Sequence, residues 1–164
     1  MIRRAIRLGL LVLLVAGGAL EAQGRPGGGG RPLRVDARQA LDFGALLGGV
    51  PQVVQSNDPV NAARIQISGE GQSDVLVSFL LPSALDGPGG AAVPLLFGPG
   101  TGGYSATQDI DSQVSFDPWV PTVFGLPQNG RGMIYLGGTA LPPAQAPAGA
   151  YSATVTLTIS YVGN

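Results

Sequence analysis

Two aspartates one residue apart, Asp109-Ile110-Asp111, are the closest approach of this sequence to a catalytic or metal-binding pair. In an extended segment they project to the same side, which could serve a glycosidase or a Ca²⁺ site. Ca²⁺ takes roughly 6–8 oxygen ligands, and the spacing of a known loop motif is missing, so a solvated loop is the better reading. Gly98-Pro-Gly-Thr-Gly-Gly103 satisfies G-x-G-x-x-G formally. The dinucleotide fingerprint needs a helix to follow, and Tyr104-Ser-Ala-Thr-Gln108 has no amphipathic pattern. The chain contains no His, Cys or Lys. Ser-His-Asp, Cys-His and Ser-Lys machinery is thereby excluded, as are disulfides, thiolate metal sites, a Walker lysine and a lipoprotein anchor through an N-terminal Cys. We therefore read the protein as non-enzymatic, with no cofactor and no metal. Binding chemistry remains in Phe116-Asp-Pro-Trp119-Val-Pro121, which holds the single Trp. An exposed indole can stack on a sugar or anchor a partner, so Phe116 and Trp119 form a candidate ligand loop. The competing reading has both rings closing one end of the fold.

The strongest structural signal lies at the C-terminus. Tyr151, Ala153, Val155, Leu157, Ile159 and Tyr161 alternate with Ser152, Thr154, Thr156, Thr158 and Ser160, and no Gly or Pro interrupts residues 150–162. This is the pattern of a long β-strand with one face in a core, and the domain depends on it for folding. The polar Ser and Thr row fits a solvated sheet face.

The same period recurs upstream. Leu33, Val35, Ala37, Leu41 and Phe43 share a face in the first strand, which Gly44 ends, and Ala63, Ile65 and Ile67 share one in a later strand. A short strand at Val53-Val54 precedes the turn Ser56-Asn-Asp-Pro59. Val75 to Leu81 reads as a central strand, and Ala91 to Phe97, carrying Pro94, as an edge strand. Asn129-Gly130 introduces Arg131 to Leu136, and Gly98 to Gly103 reads as a loop. Residues 104–127 carry a weak pattern, with one strand at Val114-Ser-Phe116. No segment sustains helical periodicity. Seven to eight short strands among recurrent turn signals, in a chain with 27 Gly and 14 Pro, predict an all-β antiparallel sandwich; a small barrel is the alternative.

The chain of 164 residues divides into three parts. Residues 1–22, with Arg3, Arg4 and Arg7 ahead of an apolar run from Leu8, read as a secretory signal peptide cleaved after Ala22. The run is too short for the ~20 residues that span a bilayer, which leaves an uncleaved anchor as the lesser alternative. Residues 23–32 are a Gly/Pro-rich flexible linker, and residues 33–164 form the folded domain. Localisation is then secreted: periplasm, cell surface or extracellular, with no membrane contact after cleavage. The mature chain carries six Arg against nine acidic side chains, a net charge of −3, which disfavours nucleic-acid binding.

Several stretches together resemble a bacterial secreted, pilin-like family known as domain of unknown function 4402. They are Pro32-Leu-Arg-Val-Asp-Ala-Arg-Gln-Ala-Leu-Asp-Phe-Gly44, Ala63-Arg-Ile-Gln-Ile-Ser-Gly69, the Leu80-Leu-Pro82 segment, Tyr135-Leu-Gly-Gly-Thr139 and Ala148 to Tyr161. They cover most of residues 32–161. That family is similar to spore coat protein U and to chaperone-usher fimbrial subunits, so the resemblance implies an immunoglobulin-like sandwich and a structural role in a surface or extracellular assembly. It also implies like subunits and a periplasmic chaperone as partners, with the last strand recognised by strand addition. Gly149 precedes Tyr161 by the twelve positions seen in fimbrial last strands, so the resemblance assigns Gly149, Tyr151, Val155, Leu157, Ile159 and Tyr161 to assembly or chaperone recognition. Fimbrial subunits carry an alternating apolar donor segment before the first strand. Here that place is taken by Arg25-Pro-Gly-Gly-Gly-Gly-Arg31, which has nothing to insert into a hydrophobic groove. The alternative function is a secreted module binding a surface carbohydrate through the Trp119 loop.

Overall fold

The computed structural model describes residues 30–162 together with the strand Val12–Leu14. Apart from that strand and Gly30–Pro32, the segments read as signal peptide and linker lie outside the described residues. Thirteen strands are described: β1 (Val12–Leu14), β2 (Arg34–Gln39), β3 (Gln52–Val54), β4 (Ala63–Ser68), β5 (Asp74–Leu80), β6 (Ala84–Asp86), β7 (Ala92–Leu96), β8 (Gly102–Ser105), β9 (Val114–Phe116), β10 (Thr122–Gly125), β11 (Arg131–Leu136), β12 (Gly138–Ala140) and β13 (Thr154–Tyr161). They form three sheets, in the orders β1-β13-β5-β10, β2-β4-β11-β8-β9 and β3-β12-β7-β6. The fold is all-β and mostly antiparallel; β1 on β13 is the parallel pair among the described strands.

The alternation along each strand decides which sheets share a core. Ile65 and Ile67 of β4, Ile134 of β11 and Tyr104 of β8 point inward from the second sheet and meet Val75 and Val77 of β5 and Leu157 of β13 from the first. A second core gathers Leu85, Val93, Leu95 and Ala140 of the third sheet with Leu41, Phe43, Leu136, Tyr151 and Val155. Strand β13 serves both, with Val155 in one core and Leu157 in the other. Each fully buried Val, Leu, Ile or Phe among them contributes about 1.5–3 kcal/mol from burial.

Turns hold the strands in register. The Asn129-Gly130 turn forms with Gly130 at φ +68°, and Asn129 Oδ1 accepts from Arg131 N at 2.9 Å. A Cβ at Gly130 would stand 2.2 Å from Gly69 O, so both the dihedral and the close approach require glycine. Asp58, in the Ser56–Pro59 turn, accepts from the Val60 and Asn61 amides at 2.8 and 3.0 Å and from the Asn61 side chain at 2.9 Å.

The structure departs from the sequence reading in several places. There are more strands than seven or eight, because Gly and Pro cut the chain into three- and four-residue pieces that still pair. Residues 84–86, 102–105, 122–125 and 138–140 are strands where turns, loop or irregular chain were expected. The first strand ends at Gln39, where a bulge between Ala37 and Gln39 shifts the register against β4. Leu33 and Val35 therefore pack inward, Ala37 is exposed, and Leu41 and Phe43 enter the core from beyond the strand. Strand β7 is not at an edge: it lies between β12 and β6. Pro94 is accommodated because it sits just past the last Cα pair of the β7–β12 ladder, where its carbonyl still accepts from Leu141 N at 2.9 Å. The last strand is also interrupted. Ser152 makes an isolated bridge to Asp86, and regular pairing begins at Thr154.

Since Leu157 is 1% exposed at the meeting of two sheets, Leu157→Ala should lower stability by about 2–5 kcal/mol in urea unfolding. Thr158→Ala, on the exposed face of the same strand, should change it by less than about 0.5 kcal/mol.

Candidate functional site

Three surfaces carry groups able to engage a partner. The first is the free side of β13. Its residues Thr156 to Tyr161 pair antiparallel with Leu80 to Val75 of β5, and its opposite edge takes β1 in parallel at Thr154, Val155 and Thr156 only. Beyond Thr156 that edge has no strand partner among the described residues. The residues assigned to assembly are distributed unevenly along it. Val155 and Leu157 are core, Ile159 is partly buried, and Tyr161 is more than a third exposed. The Tyr161 hydroxyl accepts from Glu70 N at 2.7 Å and donates to Arg31 O at 2.5 Å, tying the end of β13 to the chain entering β2. Tyr151 lies before the strand, fully buried, and its hydroxyl donates to Pro147 O at 2.8 Å. Gly149 lies outside β13 altogether, where a Cβ would stand 2.2 Å from Pro88 Cγ.

The second surface is the loop around Trp119, and the structure separates its two aromatic residues. Phe116, on β9, is partly buried against the core: it stacks on Phe79 at 6.2 Å between ring centroids and meets Phe124 edge-on at 5.0 Å. Trp119 is 52% exposed. Its indole Nε1 donates to Phe97 O at 3.0 Å, and its backbone N donates to Asp117 Oδ1 at 3.0 Å, so the exposed ring is held from both ends. No family model matches this chain, and no curated protein does.

The third surface was missed in the sequence. Strands β2, β4 and β11 turn their polar faces to one side, and the register aligns Arg34 with Ser68 and Ser68 with Arg131. One step along, Asp36 aligns with Gln66. Residues 106–113 flank this face: Tyr135, buried on β11, donates from its hydroxyl to Gln108 O at 3.0 Å. The result is a polar cleft of about 520 Å³ lined by Arg31, Arg34, Arg38 and Arg131 together with Asp36, Gln66, Ser68 and Gln108. The signal that could have revealed it was the parity of Arg34, Asp36 and Arg38, opposite the apolar positions of the first strand. Overall net charge, averaged over the molecule, conceals it.

The two aspartates of the opening motif do local work. Asp109 Oδ1 accepts from Asp111 N at 3.2 Å at the start of the 3-10 turn Ile110–Ser112. Among the described residues no three His, Cys, Asp or Glu side chains come together. The G-x-G-x-x-G segment closes as a turn, Thr101 N donating to Gly98 O at 3.0 Å, and runs into β8 rather than a helix. No helix among the described residues is long and apolar enough to cross a membrane.

Burial pushes the Tyr104 and Tyr135 hydroxyls above the ordinary tyrosine range; for Tyr135 the nearby Asp109 and Asp111 charges add to this and Arg64 opposes it. A folded-state pKa above the unfolded value gives stability that is complete below the unfolded pKa, about 10, and is lost as pH rises through the folded one. Thermal stability should therefore fall above about pH 10, and Tyr135→Phe should flatten that fall when melting curves are compared across alkaline pH.

Proposed function

We propose that this chain is an exported, non-enzymatic, pilin-like structural protein, an immunoglobulin-like sandwich that serves as a subunit or coat component of a bacterial surface or extracellular assembly. The observation that carries this reading is the condition of the β13 edge. A long alternating strand is anchored on one side by β5, while among the described residues its other side receives only the three residues of β1. Those three residues lie inside the segment read as a signal peptide. Cleavage after Ala22 would remove them and leave the whole edge open for a strand supplied by a like subunit or a periplasmic chaperone. The resemblance of the segments within residues 32–161 to secreted pilin-like proteins supports the same conclusion.

The test is the behaviour of residues 23–164 in solution. The expected result is self-association that rises with protein concentration, or soluble protein only when a strand-donating partner is co-expressed, read by light scattering and analytical ultracentrifugation. A monomer that remains monodisperse at high concentration and unfolds cooperatively would overturn the reading.

A second reading, a secreted carbohydrate-binding module, rests on the anchored and exposed Trp119 ring. Trp119→Ala should then abolish glycan binding on an array while leaving the melting temperature close to wild type, because half of the indole is already in water. Unchanged binding by that variant would remove this reading.

A further inference from the structure

The five arginines among the described residues are Arg31, Arg34, Arg38, Arg64 and Arg131. Arg34 and Arg38 stand on β2, Arg64 on β4, Arg131 on β11, and Arg31 just ahead of β2. Four of them line the 520 Å³ cleft, whereas of the nine acidic residues among the described residues only Asp36 does. Arg34 and Arg131 flank Ser68 from the two neighbouring strands, which places their Cα atoms about 10 Å apart at the usual strand spacing. Arg38 shares the parity of Arg34 and Asp36 and is the extra residue of the β2 bulge; its Nε and Nη2 donate to Gln66 Oε1 at 2.9 and 2.6 Å.

This charge has little to neutralise it within the molecule. The one ion pair among the described residues is Arg38 with Asp36 at 3.6 Å, both more than half exposed, a contact worth about 0–1 kcal/mol. Arg31, Arg34 and Arg131 make no ion pair among the described residues. Guanidinium groups crowded into one cleft raise the local positive potential, which an incoming anion would relieve.

We propose that this cleft binds an acidic polysaccharide, through the carboxylate or sulfate groups of its sugar units. Each guanidinium presents a planar fork of donors that matches a carboxylate or sulfate oxygen pair. Between the forks stand neutral groups suited to sugar hydroxyls: the Ser68 hydroxyl, the Gln108 amide and the Gln66 amide N–H groups, whose own oxygen is already occupied by Arg38. Gln108 is held at φ +64°, an uncommon conformation for a residue other than glycine, by the Tyr135 hydroxyl on its carbonyl. That contact fixes one wall of the cleft. No aromatic ring lines it, so the stacking platform on which single-stranded nucleic acids depend is missing, and a polyanion without bases is the better fit. Trp119 does not line the cleft, and the cleft meets the end of β13 at one point, where the Tyr161 hydroxyl donates to Arg31 O at 2.5 Å.

The test uses the full chain, purified as expressed, and affinity electrophoresis against four immobilised polymers: polygalacturonate, dextran sulfate, neutral dextran and an oligothymidylate. The expected result is retardation by polygalacturonate or dextran sulfate, or by both, falling with salt, and none by neutral dextran. The two acidic polymers tell carboxylate from sulfate preference. Arg34→Ala with Arg131→Ala should weaken binding at least tenfold and reduce the steepness of the salt dependence. Asp36→Ala should strengthen binding, while Asp74→Asn, the same change of net charge outside the cleft, should leave it unchanged. The Asp36 and Asp74 comparison decides the matter if the double variant does not fold. Absence of binding to both acidic polymers, equal responses to Asp36→Ala and Asp74→Asn, unchanged affinity in a folded double arginine variant, or stronger retention by the oligothymidylate would overturn the proposal.

Discussion

The antiparallel pairing of β13 with β5 is the interaction on which the rest depends. Six consecutive residue pairs, from Thr156 with Leu80 to Tyr161 with Val75, join the C-terminus to the middle of the chain. The inward residues of that pair, Val75, Val77 and Leu157, form the floor on which Ile65, Ile67 and Ile134 of the second sheet settle. Val155, one step away, reaches the other core with Tyr151, Leu85 and Val93. Both cores therefore need β13, and nearly all of its contacts are distant in sequence. Such a fold gains its stability late, after long loops have closed.

A chain this rich in Gly and Pro has few long uninterrupted strands, and it compensates with side-chain ties at the seams. Tyr161 joins Arg31 and Glu70, Tyr104 donates to Gly125 O at 2.7 Å, Tyr151 reaches Pro147 and Tyr135 reaches Gln108. Each of the four tyrosines buries much of its ring and spends its hydroxyl on a backbone group that the interrupted ladders leave without a strand partner. These ties leave the outer faces free of structural duty. Trp119 stands apart from the arginine cleft, which touches the end of β13 only through the Tyr161–Arg31 tie.

Much of this was legible in the residues themselves. The spans Ala63–Ser68, Val114–Phe116 and Arg131–Leu136 follow from alternation and turn chemistry, because a half-buried strand imposes a period of two on its own side chains whatever it packs against. The strand at Thr122–Gly125 was not legible. The five residues between Pro121 and Pro127 carry too little pattern, and β5 supplies the pairing that makes four of them a strand. The interior position of β7 was hidden for a similar reason: whether Pro94 costs a hydrogen bond depends on where the neighbouring ladder stops. Phe116 and Trp119, three residues apart, read alike as aromatic loop residues, yet one packs partly buried against the core and the other is 52% exposed.

The sequence by itself determined the all-β class and the dependence on the C-terminal strand. It also ruled out the nucleophile and thiolate chemistries that need His, Cys or Lys. These are properties of composition and of local period, which need no partner to be expressed. Only the tertiary structure decided how the charges are grouped and which strand edges are left open. Arg34 and Arg131 lie almost a hundred residues apart, and they become neighbours of Ser68 through the register of three strands. A register is a relation between distant segments, set by the fit of buried faces, and no single segment carries it.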